Sequence, residues 1–131
     1  MRATAFVASG LAAMALLAHV AFAGTSSVGI TLKEYKVLPT ATSVKAGKVT
    51  FKVKNIGVLD HTFLVVKTNV AAGKIPVKKN RAVVSALGKL GPFKKGKGGS
   101  LTLALTPGKY VLLCNVASHY QIGQYVAFTV K

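Results

Sequence analysis

Beyond its first two dozen positions, this chain alternates hydrophobic with polar residues. In residues 48–54, Val49, Phe51 and Val53 point one way while Lys48, Thr50, Lys52 and Lys54 point the other. Successive side chains of a strand face opposite sides, so this segment predicts a strand with one wet face. Residues 100–106 repeat the pattern through Leu101, Leu103 and Leu105. The Thr106-Pro-Gly-Lys109 stretch predicts a turn into residues 110–114, an unbroken apolar run suited to a central strand. Residues 61–67 and 125–131 are rich in β-branched and aromatic residues and read as strands, with a weaker strand signal over 27–32. Residues 68–99 are rich in Gly, Lys and Pro, which predicts an irregular connection with one short helical piece around 81–87. Several short strands without an internal repeat predict an all-β fold, a single antiparallel Greek-key β-sandwich.

The first residues break this pattern. Met1-Arg2 gives a positive start, an apolar run over 3–18 follows, and Ala21-Phe22-Ala23 fits a small-x-small cleavage site. The run is shorter than the roughly 20 residues needed to cross a bilayer, so it reads as a cleaved signal peptide rather than an anchor. The expected organisation is a signal peptide over 1–23 and one domain over 24–131, periplasmic or secreted and not inserted in a membrane after cleavage.

Charge adds a second property. The chain has 18 Lys and Arg against two carboxylates, a formal net charge of +16. Without Arg2 the mature part keeps +15, with Glu34 and Asp60 its only acids. Such a surface predicts salt-sensitive attraction to acidic partners. Lys94-Lys95-Gly-Lys97 is the densest cluster. No aromatic or helical reading motif accompanies the lysines, so nucleic acid is not the expected partner.

Removing residues 1–23 also removes His19 and leaves two histidines, His61 and His119, beside one cysteine, Cys114. An exported protein with a single cysteine forms no internal disulfide, and such a thiol is buried and inert, joined to another chain, or in chemical use. Its spacing favours the last. Cys114 would end a strand, His119 would sit in the next loop, and Gln124 would close that loop at the start of the final strand. His61 would come from a neighbouring strand. One thiolate, two imidazoles and a weak axial donor suit a copper site that shuttles single electrons. Zinc is the rival metal, but the closely spaced ligand pairs of structural zinc are missing. Cys–His nucleophilic catalysis lacks a recognisable oxyanion hole or proton-accepting carboxylate, so an enzyme is not expected.

The patterns Asn55-x-Gly57-x-x-x-His61 and Cys114-x4-His119-x4-Gln124 resemble the cupredoxins, the plastocyanin- and azurin-like blue-copper proteins. Small exported bacterial members are the most similar, through Gly108-Lys-Tyr-Val-Leu-Leu-Cys114, His119-Tyr-Gln-Ile-Gly-Gln124 and Phe128-Thr-Val130. The resemblance runs from about Val49 to Lys131. It implies a sandwich of about eight strands holding one type 1 copper through His61, Cys114, His119 and Gln124. Two departures stand out: Ala117-Ser118 replaces the usual Pro-Gly, and Gln124 replaces Met, as in stellacyanin-like members. An amide oxygen is a harder donor than a thioether, so a reduction potential below that of a Met-ligated relative is expected. If Gln124 instead faces away, a backbone carbonyl or no axial atom would remain.

The resemblance further implies that the Thr62 N–H bonds the Cys114 sulfur. Asn55 would brace the loop carrying His61. Gly123 would permit close backbone approach, and Tyr120, Val58, Leu59 and Ile122 would form an apolar rim. The expected role is a monomeric single-electron carrier between redox proteins outside the cytoplasm. Copper buffering or delivery is the alternative, against which stands the absence of any methionine beyond Met1 and Met14.

Overall fold

Strand alternation becomes two facing sheets and a small ribbon. The computed structural model describes residues 24–131; the expected signal peptide and its cleavage site lie outside the described residues. In chain order the strands are β1 (Thr25–Lys33), β2 (Lys36–Pro39), β3 (Ser43–Val44), β4 (Gly47–Asn55) and β5 (His61–Lys67). There follow β6 (Val77–Lys78), β7 (Arg81–Ala82), β8 (Gly88–Phe93), β9 (Gly98–Leu105) and β10 (Gly108–Leu113), then the single-turn helix α1 (His119–Ile122) and β11 (Tyr125–Val130). One sheet has the order β2-β1-β4-β9, the other β3-β11-β10-β5-β8, and β6 pairs only with β7. The pairs β1–β4 and β3–β11 are parallel and the rest antiparallel, so the sheets are mixed rather than purely antiparallel.

The main core lies between the sheets. Val28, Ile30, Leu32, Val49, Phe51 and Val53 meet Phe63, Val65, Tyr110, Leu112 and Phe128, all buried. Each such side chain contributes roughly 1.5–3 kcal/mol by leaving water. The alternate residues of β5 and β10 are buried as well: Leu64, Val66, Val111 and Leu113 form a second cluster with Ile75, Ala82 and Tyr120. The connection after β5 covers this outer face, which explains why β5 and β10 read as continuous apolar runs.

Two expectations for that connection are corrected. Residues 81–87 are not helical. The two central residues of the β6–β7 turn, Lys79 and Asn80, have φ of 51° and 62°, as a tight hairpin turn requires. Asn115 then ties β7 down, accepting from the Ala82 N–H at 2.9 Å and donating to the Ala82 carbonyl at 3.1 Å. Leu87 N–H donates to the Val65 carbonyl, which leads the chain into β8. The second correction is β8 itself, an edge strand inside the segment expected to be irregular. Its pairing with β5 shifts register between His61 and Phe63.

The parallel register of β1 and β4 sets Leu32 opposite Asn55. The β1–β2 turn, the β4–β5 loop and the segment joining β10 to β11 consequently meet at one end of the sandwich. Every residue singled out by spacing lies there. Among the described residues, no helix is long and apolar enough to cross a membrane.

Candidate metal centre

Cys114 follows the last residue of β10, and its N–H donates to the Gln124 carbonyl at 3.1 Å, tying the two ends of the intervening loop. Within that loop, α1 is one turn bounded by Ser118 and Gly123, with φ of 70° and 119°. The Gly123 and Gln124 N–H groups close the turn on the Tyr120 and His119 carbonyls. A side chain at Gly123 would meet nothing within 4 Å. Its glycine therefore answers the left-handed backbone, not the close approach expected from sequence.

His61 opens β5. The loop before it is braced by Asn55, which is fully buried. The Asn55 Oδ1 accepts from the Gly57 N–H at 2.8 Å, and its Nδ2 donates to the Leu59 and Phe93 carbonyls at 2.9 and 2.7 Å. The β5–β10 ladder ends at Leu64 opposite Leu113. Beyond it the Thr62 N–H points at Cys114 Sγ, 3.3 Å away, while the Thr62 hydroxyl accepts from the Asn115 N–H at 2.8 Å. A buried N–H needs a partner, and the sulfur provides it.

These elements bring three donor atoms together. His61 Nδ1 and His119 Nδ1 are 3.2 Å apart, and Cys114 Sγ lies 3.8 and 3.6 Å from them. His61 and Cys114 are fully buried and His119 nearly so. This is the one His, Cys, Asp or Glu group among the described residues placed to hold a metal ion. Edges of this length suit atoms that share an ion at bonds of roughly 2.0–2.3 Å. Burial lowers the His119 pKa below 6.5, reinforced by the charge of a protonated His61 and opposed by Glu34 and the Gln124 side chain.

Gln124 is fully buried. Its Nε2 donates to the Lys33 and Lys36 carbonyls at 3.1 and 3.3 Å. Carbonyls only accept, so these contacts fix which end of the amide faces them. Among the described residues, Gln124 Oε1 is the buried side-chain polar atom left without a hydrogen-bond partner. An unpartnered buried oxygen beside a cysteine sulfur and two imidazoles fits the donor set that type 1 copper takes.

Two residues at the site were not foreseen from sequence. Glu34, in the β1–β2 turn, accepts from His61 Nε2 at 2.9 Å and from the Leu59 and Val58 N–H groups at 2.7 and 3.2 Å. The Leu59 N–H, with smaller help from His61 and Val58, outweighs burial and brings the Glu34 pKa down to about 2. Tyr35 meets His119 edge-on, with ring centroids 5.2 Å apart. The one available signal was that Glu34 is one of two carboxylates in residues 24–131.

The expected apolar rim is partly corrected. Val58, Leu59 and Ile122 are exposed, but Tyr120 is buried. The hydroxyl of Tyr120 donates to the Ala72 carbonyl at 2.6 Å and accepts from the Ile75 N–H at 3.0 Å. The ring turns toward the second core and leaves the rim to its neighbours.

No protein-family model matches the sequence, and no curated protein matches it. Solved structures do. The dithionite-reduced auracyanin of Roseiflexus castenholzii superposes with a TM-score of 0.58 at 19% identity, covering 82% of this chain and 96% of that one. Rusticyanin from Thiobacillus ferrooxidans gives 0.61 at 18% identity, with 82% and 77% covered. A rusticyanin mutant carrying glutamine in place of a methionine gives 0.60 at 22% identity, with 82% and 78% covered. At such identities the likeness establishes the fold, which is that of the cupredoxins.

Proposed function

We propose that His61, Cys114, His119 and Gln124 hold one type 1 copper ion, and that the protein carries single electrons between redox proteins outside the cytoplasm. The observation that carries this reading is the convergence of three buried donor atoms beside the unpartnered Gln124 Oε1. Copper in such a donor set supplies a one-electron couple. The chain's own residues supply the rest. Burial keeps water from the donors, and the bond from Cys114 N–H to the Gln124 carbonyl holds the loop ends in fixed relation. Donors held this way keep their places through a change of charge. The Thr62 N–H draws electron density from the Cys114 sulfur. Gln124 Oε1, a hard donor, favours the oxidised ion over the reduced one.

The exposed Val58, Leu59 and Ile122 give a partner an apolar contact near the ligand loops. The lysines steer an acidic partner toward it and make docking salt-sensitive. A carrier suits the site better than an enzyme, since Glu34, the carboxylate at the site, is already engaged by His61 and two N–H groups.

The test is a visible spectrum of the protein of residues 24–131 with Cu(II), repeated on Gln124→Met. A strong band near ~600 nm is the expected Cu–thiolate charge transfer, and the variant should shift both the spectrum and the potential, the latter upward. A folded protein that stays colourless overturns the assignment.

A further inference from the structure

The β1–β2 turn reaches three of the four residues assigned to copper. The Lys33 and Lys36 carbonyls hold Gln124, the Tyr35 ring abuts His119, and the Glu34 carboxylate meets His61. The Glu34 contact carries the most chemistry. A carboxylate can only accept, so the proton of a neutral His61 ring sits on Nε2 and the Nδ1 lone pair faces Cys114 and His119. The chain is built around this carboxylate. Val58 and Leu59 turn their N–H groups to it, and a Cβ at Gly57 would lie 2.5 Å from Glu34 Oε1. Although sixteen lysines share residues 24–131 with it, no lysine is within salt-bridge distance of Glu34. Asp60, the other acid, lies 3.9 Å from Lys94 and is half exposed.

We infer that Glu34 is a positioning residue of the metal centre, one that sets the orientation of His61 and biases the site toward Cu(II). The inference rests on the copper reading above. The bond to Nε2 makes His61 a more basic ligand, and a negative charge one imidazole away stabilises the doubly charged ion more than the singly charged one. A mere brace for the 57–59 loop would act on both oxidation states alike.

The experiment compares wild type, Glu34→Gln, Glu34→Ala and Asp60→Asn by visible spectrum, protein-film voltammetry, Cu(II) and Cu(I) competition titrations, and thermal melting. Glu34→Gln keeps an acceptor for Nε2 and loses the charge. It should stay blue while its Cu(II)-to-Cu(I) affinity ratio falls at least about tenfold, a rise of ~59 mV for a one-electron couple. Glu34→Ala should shift at least as far and release Cu(II) faster. Asp60→Asn, which removes an equal charge from a half-exposed side chain that pairs with Lys94 and makes no hydrogen bond to a ligand, should shift much less. If both affinities fall by one factor, or neither Glu34 variant moves the potential of a blue protein, the inference is overturned while the copper reading stands. A folded wild type without blue colour overturns the copper reading and this inference with it.

Discussion

His61 and His119 present their Nδ1 atoms to each other across 3.2 Å, a separation at which two protonated rings repel strongly. A shared cation resolves this contact, and so does one neutral ring. In the metal-free protein burial lowers the His119 pKa, and a charge on the neighbouring ring would lower it further.

The lowered pKa gives the metal-free protein an acid-sensitive stability. His119 has a folded-state pKa below 6.5, so below that pH the unfolded chain binds the proton more readily and stability falls. Glu34 adds a second window: its stabilising ionised form is fully present above 4.5 and is lost as pH falls toward about 2. Denaturant unfolding of metal-free protein across this range should show midpoints falling with pH in both windows. Midpoints that are flat or rise on acidification would contradict the geometry.

Asn55→Ala removes three hydrogen bonds at a fully buried position. At about 1 kcal/mol each, the expected loss is about 3 kcal/mol, measured by denaturant unfolding. The loop before His61 loses its brace at the same time, so metal release should quicken. A loss below about 1 kcal/mol would mean that other contacts hold the loop.

Ser118 stands where the resemblance expects glycine, and its φ of 70° is left-handed. A side chain there costs roughly 1–2 kcal/mol, partly offset because glycine gains freedom in the unfolded chain. Ser118→Gly should therefore stabilise the protein by roughly 0.5–1 kcal/mol, read from the unfolding midpoint.

Tyr120→Phe tests the other side of α1. Losing the hydroxyl leaves the Ile75 N–H and Ala72 carbonyl without their partner, at a cost of about 1–3 kcal/mol. Faster hydrogen exchange at Ile75 with an unchanged copper band is the expected result. A displaced band would mean that Tyr120 supports the ligands directly.

What sequence revealed followed the range of the interactions. Alternation located β4 and β9, and apolar, β-branched or aromatic runs located β5, β10 and β11, because each of these signals lies within its own strand. Spacing singled out Cys114, His119 and Gln124 because they lie on one strand–loop–strand unit, and His61 because it opens a strand. Glu34 was hidden for the opposite reason: its bond to His61 spans 27 positions and depends on the parallel pairing of β1 with β4. Pattern also failed at β8, a short edge strand interrupted by Gly91 and Pro92, and at residues 81–87, where only Ala82 and Val84 pack on the second core. Tyr120 was placed on the rim because it follows a ligand in the loop, and sequence alone did not say that its ring meets the second core.

The centre draws on residues 33–36, 55–62 and 114–124, stretches far apart in the chain. A metal held there would act as a rivet, fastening the first strand pair of the domain to its last. Tight capture then requires β1 to have docked beside β4, so the bound metal would mark the completed topology. Partly assembled chains would offer the donors of the β10–β11 loop without His61 in place, and holding metal with the full set would deepen the stability of the finished fold.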